Sequence, residues 1–154
     1  MNLPESLEIK SSRFGKGLFA RVPIIIGQTI FYFTGRRGDD THTNVLSLEI
    51  DKNLFIESDL KYDDFLNHSC DPNCYIDFSD VSLKVLKPIQ RGQELTYIYN
   101  TSEWDLINSA TPSFFKCDCN TKNCIGIIRG FRYLTEQQRK EIKNLVSPAI
   151  RKRL

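Results

Sequence analysis

The five cysteines and two histidines are the residues of this chain best suited to metal binding or covalent chemistry. They concentrate in FLNHSCDPNC at 65–74, which holds His68, Cys70 and Cys74, and in CDCNTKNC at 117–124. Structural zinc takes four tetrahedral ligands, and thiolates suit it well. The second cluster has three cysteines, so a zinc site there needs a fourth thiol from a distance. Cys70 and Cys74 are the two candidates.

The residues between the three clustered cysteines are polar and turn-forming, which favours a metal site over thiols that merely pack or face solvent. The beginning, MNLPESLEIK, lacks a signal-peptide pattern, and no apolar run approaches about 18 residues. This predicts a reducing cytoplasm or nucleus and no membrane association. In such a compartment, cysteines serve as thiols or metal ligands rather than as disulfides.

The composition is that of an ordinary globular protein. The 154 residues, 40% hydrophobic and 26% charged, fit one domain. A net charge of +2 argues against direct nucleic-acid binding. The basic residues RKR at 151–153 are expected to form a solvated chain end.

The first hundred residues read as many short strands, which favours several small antiparallel sheets over a parallel α/β fold. In LEIKSSRFGKGLFA a Gly-x-Gly turn separates two extended stretches, and in IIIGQTIFYF Gly27-Gln28 does the same. The segments VLSLEI, NLFIES, CYIDF, VSLKVL and ELTYIY follow. Near the C-terminus, LTEQQRKEIKNLV predicts one helix with Thr135 as its N-cap and Pro148 beyond its end.

Four blocks, in the same order as in the family, make the chain resemble the SET-domain protein lysine methyltransferases that carry a post-SET zinc segment. RFGKGLFA at 13–20 is similar to the family's cofactor loop, and FLNHSCDPNC at 65–74 matches its Asn-His-Ser-Cys-x-Pro-Asn signature. GQELTYIY at 92–99 and FKCDCNTKNCIG at 115–126 are similar to its tyrosine strand and its post-SET cysteines. NTSEWDL and RGFRYL also resemble compact bacterial members.

The resemblance implies a mainly β SET fold, in which the segment holding Asn67 and His68 forms a pseudo-knot beside the strand ending at Tyr99. It divides the chain into a SET domain at 1–110, a post-SET zinc segment at 111–130, and a C-terminal helix and basic tail at 131–154. It also assigns a structural zinc ion to Cys70, Cys117, Cys119 and Cys124. Cys74 then becomes a packed thiol.

The reaction implied is methyl transfer from S-adenosylmethionine to the ε-amine of a protein lysine, which leaves S-adenosylhomocysteine. The family pattern places the cofactor against Lys16, Gly17, Leu18, Asn67, His68 and Tyr99. A satisfied buried histidine is the alternative for His68, and the two roles can coexist.

Two tyrosines of ELTYIY carry the implied chemistry. Tyr99 matches the catalytic tyrosine, and Tyr97 matches a lysine-channel position where a hydroxyl favours mono- or dimethylation. Strand alternation puts both on the face of Leu95, opposite Glu94 and Ile98. Both could instead be ordinary half-buried strand aromatics. The alignment of IGQTIFYFTG adds Phe33 to the channel, and a one-residue slip would replace it by Tyr32.

The chain departs from the family pattern at Ile98, which replaces an aspartate, at Asp64, which replaces an arginine, and at Arg36-Arg37 after Gly35. A catalytically weak SET-like module that binds a lysine-containing peptide or cofactor is the alternative function, which Phe33 and Ile98 favour and which Tyr99 and the intact NHSC block disfavour. A zinc-dependent enzyme is disfavoured, because four thiolates leave no open coordination position. The substrate is left open among histones, ribosomal proteins, bacterial DNA-packaging proteins and host proteins met by a secreted effector.

Overall fold

A computed structural model describes residues 3–38, 47–52, 54–57, 62–108 and 112–154. Its strands, in chain order, are β1 (Leu7–Ser12), β2 (Gly15–Ala20), β3 (Thr29–Tyr32), β4 (Arg37–Gly38), β5 (Ser47–Asp51), β6 (Leu54–Glu57), β7 (Asn67–His68), β8 (Cys74–Asp77), β9 (Ser82–Val85), β10 (Thr96–Tyr97), β11 (Phe115–Lys116) and β12 (Ile127–Ile128). The helices are α1 (Glu136–Ile142) and α2 (Pro148–Arg151), with 3₁₀ turns at Tyr62–Phe65, Tyr99–Thr101 and Phe131–Tyr133. Within these described ranges, no helix is long and apolar enough to cross a membrane.

In the described part of the chain the strands form five small sheets, four of them antiparallel, as the sequence predicts. The predicted strands at 45–50 and 53–58 lie partly outside the described residues. The chain divides into two compact units, 1–33 with 60–98, and 34–59 with 99–154. These units do not follow the predicted segments 1–110, 111–130 and 131–154, whose boundaries stay a prediction. The first predicted boundary, at 110–111, also lies outside the described residues.

The first unit contains a two-stranded ribbon in which β1 and β2 pair in continuous register from Leu7 with Ala20 to Ser12 with Gly15. The predicted Gly-x-Gly turn is wrong in detail, because Gly17 lies within β2, opposite Lys10. The turn is formed before Gly17 and ends at Gly15, whose φ of +103° suits a residue without a side chain.

A three-stranded antiparallel sheet, ordered β3-β9-β8, supplies the core of this unit. The buried side chains along β8 and β9 include Cys74, Ile76, Leu83 and Val85. The first half of IIIGQTIFYF forms no named strand, and only Ile24 makes an isolated bridge, to Ile89. Pro23, which directly precedes this half, has no backbone N–H to donate to a neighbouring strand.

β7 and β10 form the one parallel pair among the described strands, with Asn67 beside Thr96 and His68 beside Tyr97. The predicted strand ELTYIY is wrong at its C-terminal end, since pairing stops at Tyr97 and Tyr99 begins a 3₁₀ turn. The predicted alternation therefore ends there too. Ile98 is buried in the described structure, with 4% of its surface exposed.

The side chain of Asn73 hydrogen-bonds to the backbone just before β10 and at its first residue. Its Nδ2 donates to the carbonyl of Glu94 at 2.8 Å, and its Oδ1 accepts from the amide of Thr96 at 2.9 Å. The Asn73 carbonyl accepts from the amides of Leu86 and Lys87. One residue thus supplies backbone partners that a two-residue strand cannot obtain from a sheet.

The second unit contains the sheet β4-β6-β5, the hairpin β11–β12 and the C-terminal helices. Its apolar core is a cluster of Phe131, Leu134, Val146 and Ile150, with Trp104, Ile125 and Ile142 packed against it. The Trp104 and Phe131 rings are stacked, with centroids 6.1 Å apart. This cluster joins the C-terminal helices to the segment that follows Tyr99.

The predicted N-cap is confirmed. The Thr135 side chain accepts from the amide of Gln138, whose side chain accepts from the amide of Thr135, which is a complete capping box. The prediction of one helix ended by Pro148 is wrong. The first helix ends at Ile142, and Pro148 occupies the first turn of α2, where its missing N–H costs nothing.

The expectation of a solvated basic tail is wrong for Arg153, whereas the side chain of Lys152 stays 55% exposed beside its ion pair. The Lys152 ammonium pairs with Asp51 at 2.7 Å, and the Arg153 guanidinium binds both carboxylate oxygens of Glu49, at 2.7 and 2.8 Å. The pairing with Lys152 lowers the pKa of Asp51. The carboxylates of β5 therefore order the end of the chain.

Glu103 carries the most perturbed carboxyl group of this unit. Burial, together with the negative charge of Glu49, raises the pKa of Glu103 to about 7, and a hydrogen bond from Ser102 opposes the shift. The Glu49 carboxylate that contributes to this shift is itself bound by the Arg153 guanidinium. Glu103 therefore holds a proton in the folded protein at pH values where an ordinary glutamate is ionised.

We expect Glu103 to make the folded protein less stable as the pH rises from about 4.5 to about 7. The folded state binds the proton more tightly than the unfolded state does, so this contribution is fully present below the lower value and lost by the higher one. Urea unfolding of wild type and Glu103→Gln at pH 5 and 7.5 tests this. The substitution should remove part of the decline, whereas Glu136→Gln on exposed α1 should not. Equal declines in all three proteins would contradict the shift.

Candidate active site and thiol cluster

Asn67 ties together the three segments of the first unit that carry the predicted cofactor residues. Its side-chain Nδ2 donates to the Lys16 carbonyl at 2.9 Å, to Glu94 Oε1 at 2.7 Å and to Ser12 Oγ at 3.2 Å. The amide nitrogen is thus engaged within the protein. These hydrogen bonds hold the β1–β2 ribbon and the segment that leads into β10 next to the predicted cofactor residues.

The ribbon comes close to Glu94 because Gly17 has no side chain. A Cβ on Gly17 would lie 2.2 Å from Glu94 Oε1, which is too near for any contact. Leu18 continues the approach, since its carbonyl accepts from the Leu95 amide at 2.8 Å while its side chain is fully buried. Lys16 is exposed and its ammonium lies 5.7 Å from the ring of Phe65. A side chain at residue 17 would therefore have to displace the Glu94 carboxylate from its hydrogen bond with Asn67.

His68 is buried and next to a thiol. Only 3% of its surface is exposed, and its Nε2 lies 3.3 Å from Cys70 Sγ. Burial lowers the pKa of His68 to about 4, so the ring is neutral at neutral pH. The structure supports the satisfied buried histidine weighed from the sequence. The cofactor contact predicted for His68 stays a prediction.

The aromatic residues predicted for the lysine channel differ in exposure. Tyr97 is half-buried on β10, and the backbone amide of Ser69 donates to its carbonyl at 3.0 Å. Phe33 is half-buried and its ring packs edge-on against Phe31, with centroids 5.2 Å apart. Tyr32 is 53% exposed. The exposure of Tyr32 fits a channel wall less well than the packed ring of Phe33 does.

Tyr99 begins the 3₁₀ turn Tyr99–Thr101 of the second unit and is half-buried. Its ring meets Phe115 of β11 edge-on, with centroids 5.9 Å apart. Its carbonyl accepts from the amides of Ser102 and Glu103, at 3.0 and 2.9 Å, and from Ser102 Oγ at 3.2 Å. These bonds fix the backbone of the turn from which the Tyr99 side chain extends.

The ligand atoms of Cys70, Cys117, Cys119 and Cys124 all lie within 4.8 Å of one another. Bonds of about 2.3 Å at tetrahedral angles put zinc-bound sulfurs about 3.8 Å apart, so these four thiols fit a metal after a small contraction. Backbone geometry shapes the loop: the Cys117 amide donates to the Gly126 carbonyl at 2.6 Å, and Asn120 takes a φ of +55°. The cluster can hold a metal ion through four thiolates.

The remaining thiol is of a different kind. Cys74 is fully buried on β8, and burial raises its pKa to about 12. A thiol that stays protonated neither binds metal nor attacks electrophiles readily. This agrees with the packed role implied by the resemblance.

Sequence reasoning missed two residues that organise this region, Asn73 and Glu94. Both stand inside blocks recognised in the sequence, Asn73 at the end of FLNHSCDPNC and Glu94 at the start of ELTYIY. The available signal was that asparagine side chains readily hydrogen-bond to backbone groups, which applies to Asn73. Their partners, however, lie 21 to 27 residues away along the chain.

Comparison with known proteins identifies the region just described. The SET domain family model matches residues 15–100, which is more than half of the chain. The chain is 38% identical over 80 residues to methyltransferase flvH of Aspergillus flavus, covering 51% of this chain and 40% of that protein. It is 38% identical over 100 residues to histone-lysine N-methyltransferase ash1 of Drosophila melanogaster, covering 60% of this chain and 4% of that protein.

Among solved structures, the chain is similar to KRYPTONITE in complex with mCHH DNA, H3(1-15) peptide and SAH. The TM-score is 0.65 at 26% identity, covering 82% of this chain and 30% of that one. A second KRYPTONITE complex, with mCHG DNA and SAH, gives a TM-score of 0.67 at 25% identity over the same shares. The chain thus spans less than half the length of these relatives and neighbours. The match over 15–100 contains the Gly17, Asn67 and Glu94 arrangement, and the chain belongs to the SET-domain family.

Proposed function

We propose that this chain transfers a methyl group from S-adenosylmethionine to the ε-amine of a lysine in a protein substrate. The observation that carries the proposal is the Asn67 amide, which joins the Lys16 carbonyl to the Glu94 carboxylate. It assembles three family blocks into one region. Membership of the SET family, relatives named as lysine methyltransferases and neighbours solved with SAH support the same reaction.

In this proposal the backbone of Lys16, Gly17 and Leu18 holds the cofactor together with Asn67 and His68. When bound, S-adenosylmethionine supplies a methyl group that is already activated by a sulfonium. The residues of the chain therefore have to orient a neutral amine and exclude water rather than activate the methyl group. The β1–β2 ribbon, which packs near Glu94, would provide a fixed surface for orienting the amine and excluding water.

The acceptor lysine needs help to lose its proton, since its ordinary pKa is about 10.4. A channel walled by Tyr97 and Phe33, or by Tyr32 in place of Phe33, would disfavour the charged ammonium by removing water around it. Tyr99, as the catalytic residue of the proposal, would position the amine through its hydroxyl. The hydroxyl of Tyr97 would restrict the product to mono- or dimethyl-lysine.

Loss of the Tyr99 hydroxyl should abolish most methyl transfer without unfolding the protein. We expect Tyr99→Phe to lower the rate by about 10²-fold or more, the scale of losing a group that positions the reacting atom. Purified protein is incubated with labelled S-adenosylmethionine and either core histones or whole-cell protein extract. Tyr133→Phe removes a hydroxyl bonded to Asp105 instead and should keep its activity.

Label in a protein band that falls only in Tyr99→Phe would support lysine methyl transfer, and mass spectrometry would then find the modified lysine. Cofactor binding with no label in either mixture would favour the binding module, which Phe33 and Ile98 suggest, or a substrate absent from both mixtures. Absence of cofactor binding would overturn the proposal.

The Asn67 network gives a prediction for cofactor affinity. Asn67→Asp places a carboxylate against the Glu94 carboxylate and the Lys16 carbonyl, so the ribbon should separate from residue 67. We expect the affinity for S-adenosylmethionine, measured by calorimetry, to fall about tenfold, the effect of about 1.4 kcal/mol.

The reversed pair is the matched control. In Asn67→Asp/Glu94→Gln, the glutamine amide can donate to the new carboxylate, so at least part of the affinity should return. A double variant that binds no better than Asn67→Asp alone would show that the contact with Glu94 does not support the cofactor site.

We further propose that the four-thiol cluster holds a structural zinc ion. Cys70, Cys117, Cys119 and Cys124 offer four sulfur ligands, the usual complement of a structural site, and leave no coordination position for water or substrate. We propose a reducing cytoplasm or nucleus as the location, because cysteines there serve as metal ligands rather than as disulfides.

One zinc ion per chain is expected in purified protein, and Cys117→Ser should lose it. Cys74→Ser is the matched control, because Cys74 is equally buried but lies outside the cluster. Zinc is measured with a chromogenic chelator after denaturation. Chelation of native protein should weaken cofactor binding, because Cys70 lies against His68. Unchanged cofactor affinity with lost turnover would contradict a structural metal.

The substrate we propose is a histone or another basic protein with an accessible lysine. Relatives are named histone-lysine N-methyltransferases, and one neighbour was solved with an H3(1-15) peptide. The comparison of core histones with whole-cell extract decides between histones and other proteins.

A further inference from the structure

The end of the chain is joined to the turn that begins at Tyr99. The backbone amide of Ser147 donates to the Thr101 carbonyl at 2.8 Å, and Ser147 is fully buried. The side chain of Ser147 also caps α2 by accepting from the amide of Ile150 at 3.2 Å. The first residue of the α2 segment is thus fixed to the last residue of the Tyr99 turn.

The opposite end of the same segment is held by Arg153. Its guanidinium binds both oxygens of Glu49 and donates to the Ala149 carbonyl at 3.0 Å. It also lies 5.9 Å from the centroid of the Trp104 ring. The side chain of Arg153 is 23% exposed and that of Glu49 9%, so water screens this bidentate pair less than a surface pair.

The Tyr99–Thr101 turn contains a buried side-chain amide that is unsatisfied among the described residues. Asn100, which follows Tyr99, is fully buried, and neither atom of its side-chain amide finds a hydrogen-bond partner within the described residues. An unsatisfied buried amide costs free energy that the surroundings have to offset. The turn therefore depends on its backbone bonds to Ser102 and Glu103, and on the neighbouring segment that Ser147 and Arg153 hold.

We propose that Arg153 is a positioning residue for Tyr99. By binding Glu49 and covering Trp104, it holds α2 so that Ser147 can fix Thr101 and thereby the backbone that carries the catalytic tyrosine. This rests on the proposed function, because it gives Tyr99 its role in methyl transfer. The charge of Arg153 acts through α2 and the turn, and does not need to touch substrate or cofactor.

Two measurements on Arg153→Gln test the proposal separately. Hydrogen exchange of a peptide covering residues 99–108 reports the amides of Ser102 and Glu103, which donate to the Tyr99 carbonyl. We expect exchange there to accelerate about tenfold. With any protein that wild type labels, kcat should fall about tenfold, whereas KM and the Kd for S-adenosylmethionine should change less than twofold.

Lys152→Gln is the matched control, because it removes the same charge from the neighbouring residue, whose ion pair with Asp51 is more exposed. It should alter neither exchange at 99–108 nor kcat. Arg153→Lys keeps the charge but loses the bidentate contact with Glu49. Its exchange rate at 99–108 and its kcat should therefore lie between those of wild type and Arg153→Gln. This variant also keeps the test valid if Arg153→Gln unfolds.

Unchanged exchange in both Arg153 variants would overturn the proposal, whatever the activity. Faster exchange with unchanged kcat in an active enzyme would also overturn it, because the turn would then loosen without consequence for Tyr99. A wild-type protein that labels nothing would count against the proposed function, while faster exchange in Arg153→Gln but not Lys152→Gln would still support the physical coupling of Arg153 to the turn.

Discussion

The first unit depends on side-chain amides that replace missing sheet partners. β7 and β10 are two residues long, and a parallel pair of that length cannot satisfy its own backbone groups. Asn73 bonds to the backbone on both sides of Leu95, and Asn67 binds the ribbon and Glu94. The site is thus built where regular secondary structure ends, and asparagine side chains close the gaps.

Burial separates the chemical roles of residues that look alike in the sequence. Cys74 and Cys70 are four positions apart, yet burial keeps the Cys74 thiol protonated, while Cys70 lies among three other thiols. His68 is neutral for the same reason and contacts the sulfur of Cys70. The neutral ring of His68 thus connects β7 to the Cys70 thiol.

In the second unit, ion pairs hold the segments together, whereas side-chain amides do so in the first unit. Glu49 and Asp51 of β5 bind Arg153 and Lys152, and the aromatic face of Trp104 completes the contact. Burial, together with the nearby Glu49 carboxylate, raises the pKa of Glu103, so that this side chain retains its proton where an ordinary glutamate is ionised. A segment that composition alone suggests to be a tail is part of the packed structure. Its order bears directly on the backbone around Tyr99.

The sequence by itself determined the mainly β architecture, the N-cap at Thr135 and the blocks that identify the SET family, because these depend on local patterns and spacing. It also supplied the three clustered cysteines and the need for a distant fourth, which the family resemblance assigns to Cys70. Only the tertiary structure decided that Gly17 faces Glu94, that β10 stops at Tyr97, that Pro148 starts a helix and that Arg153 is ion-paired. Each of these depends on a partner between 21 and 104 residues away or on local backbone geometry, which sequence periodicity cannot report.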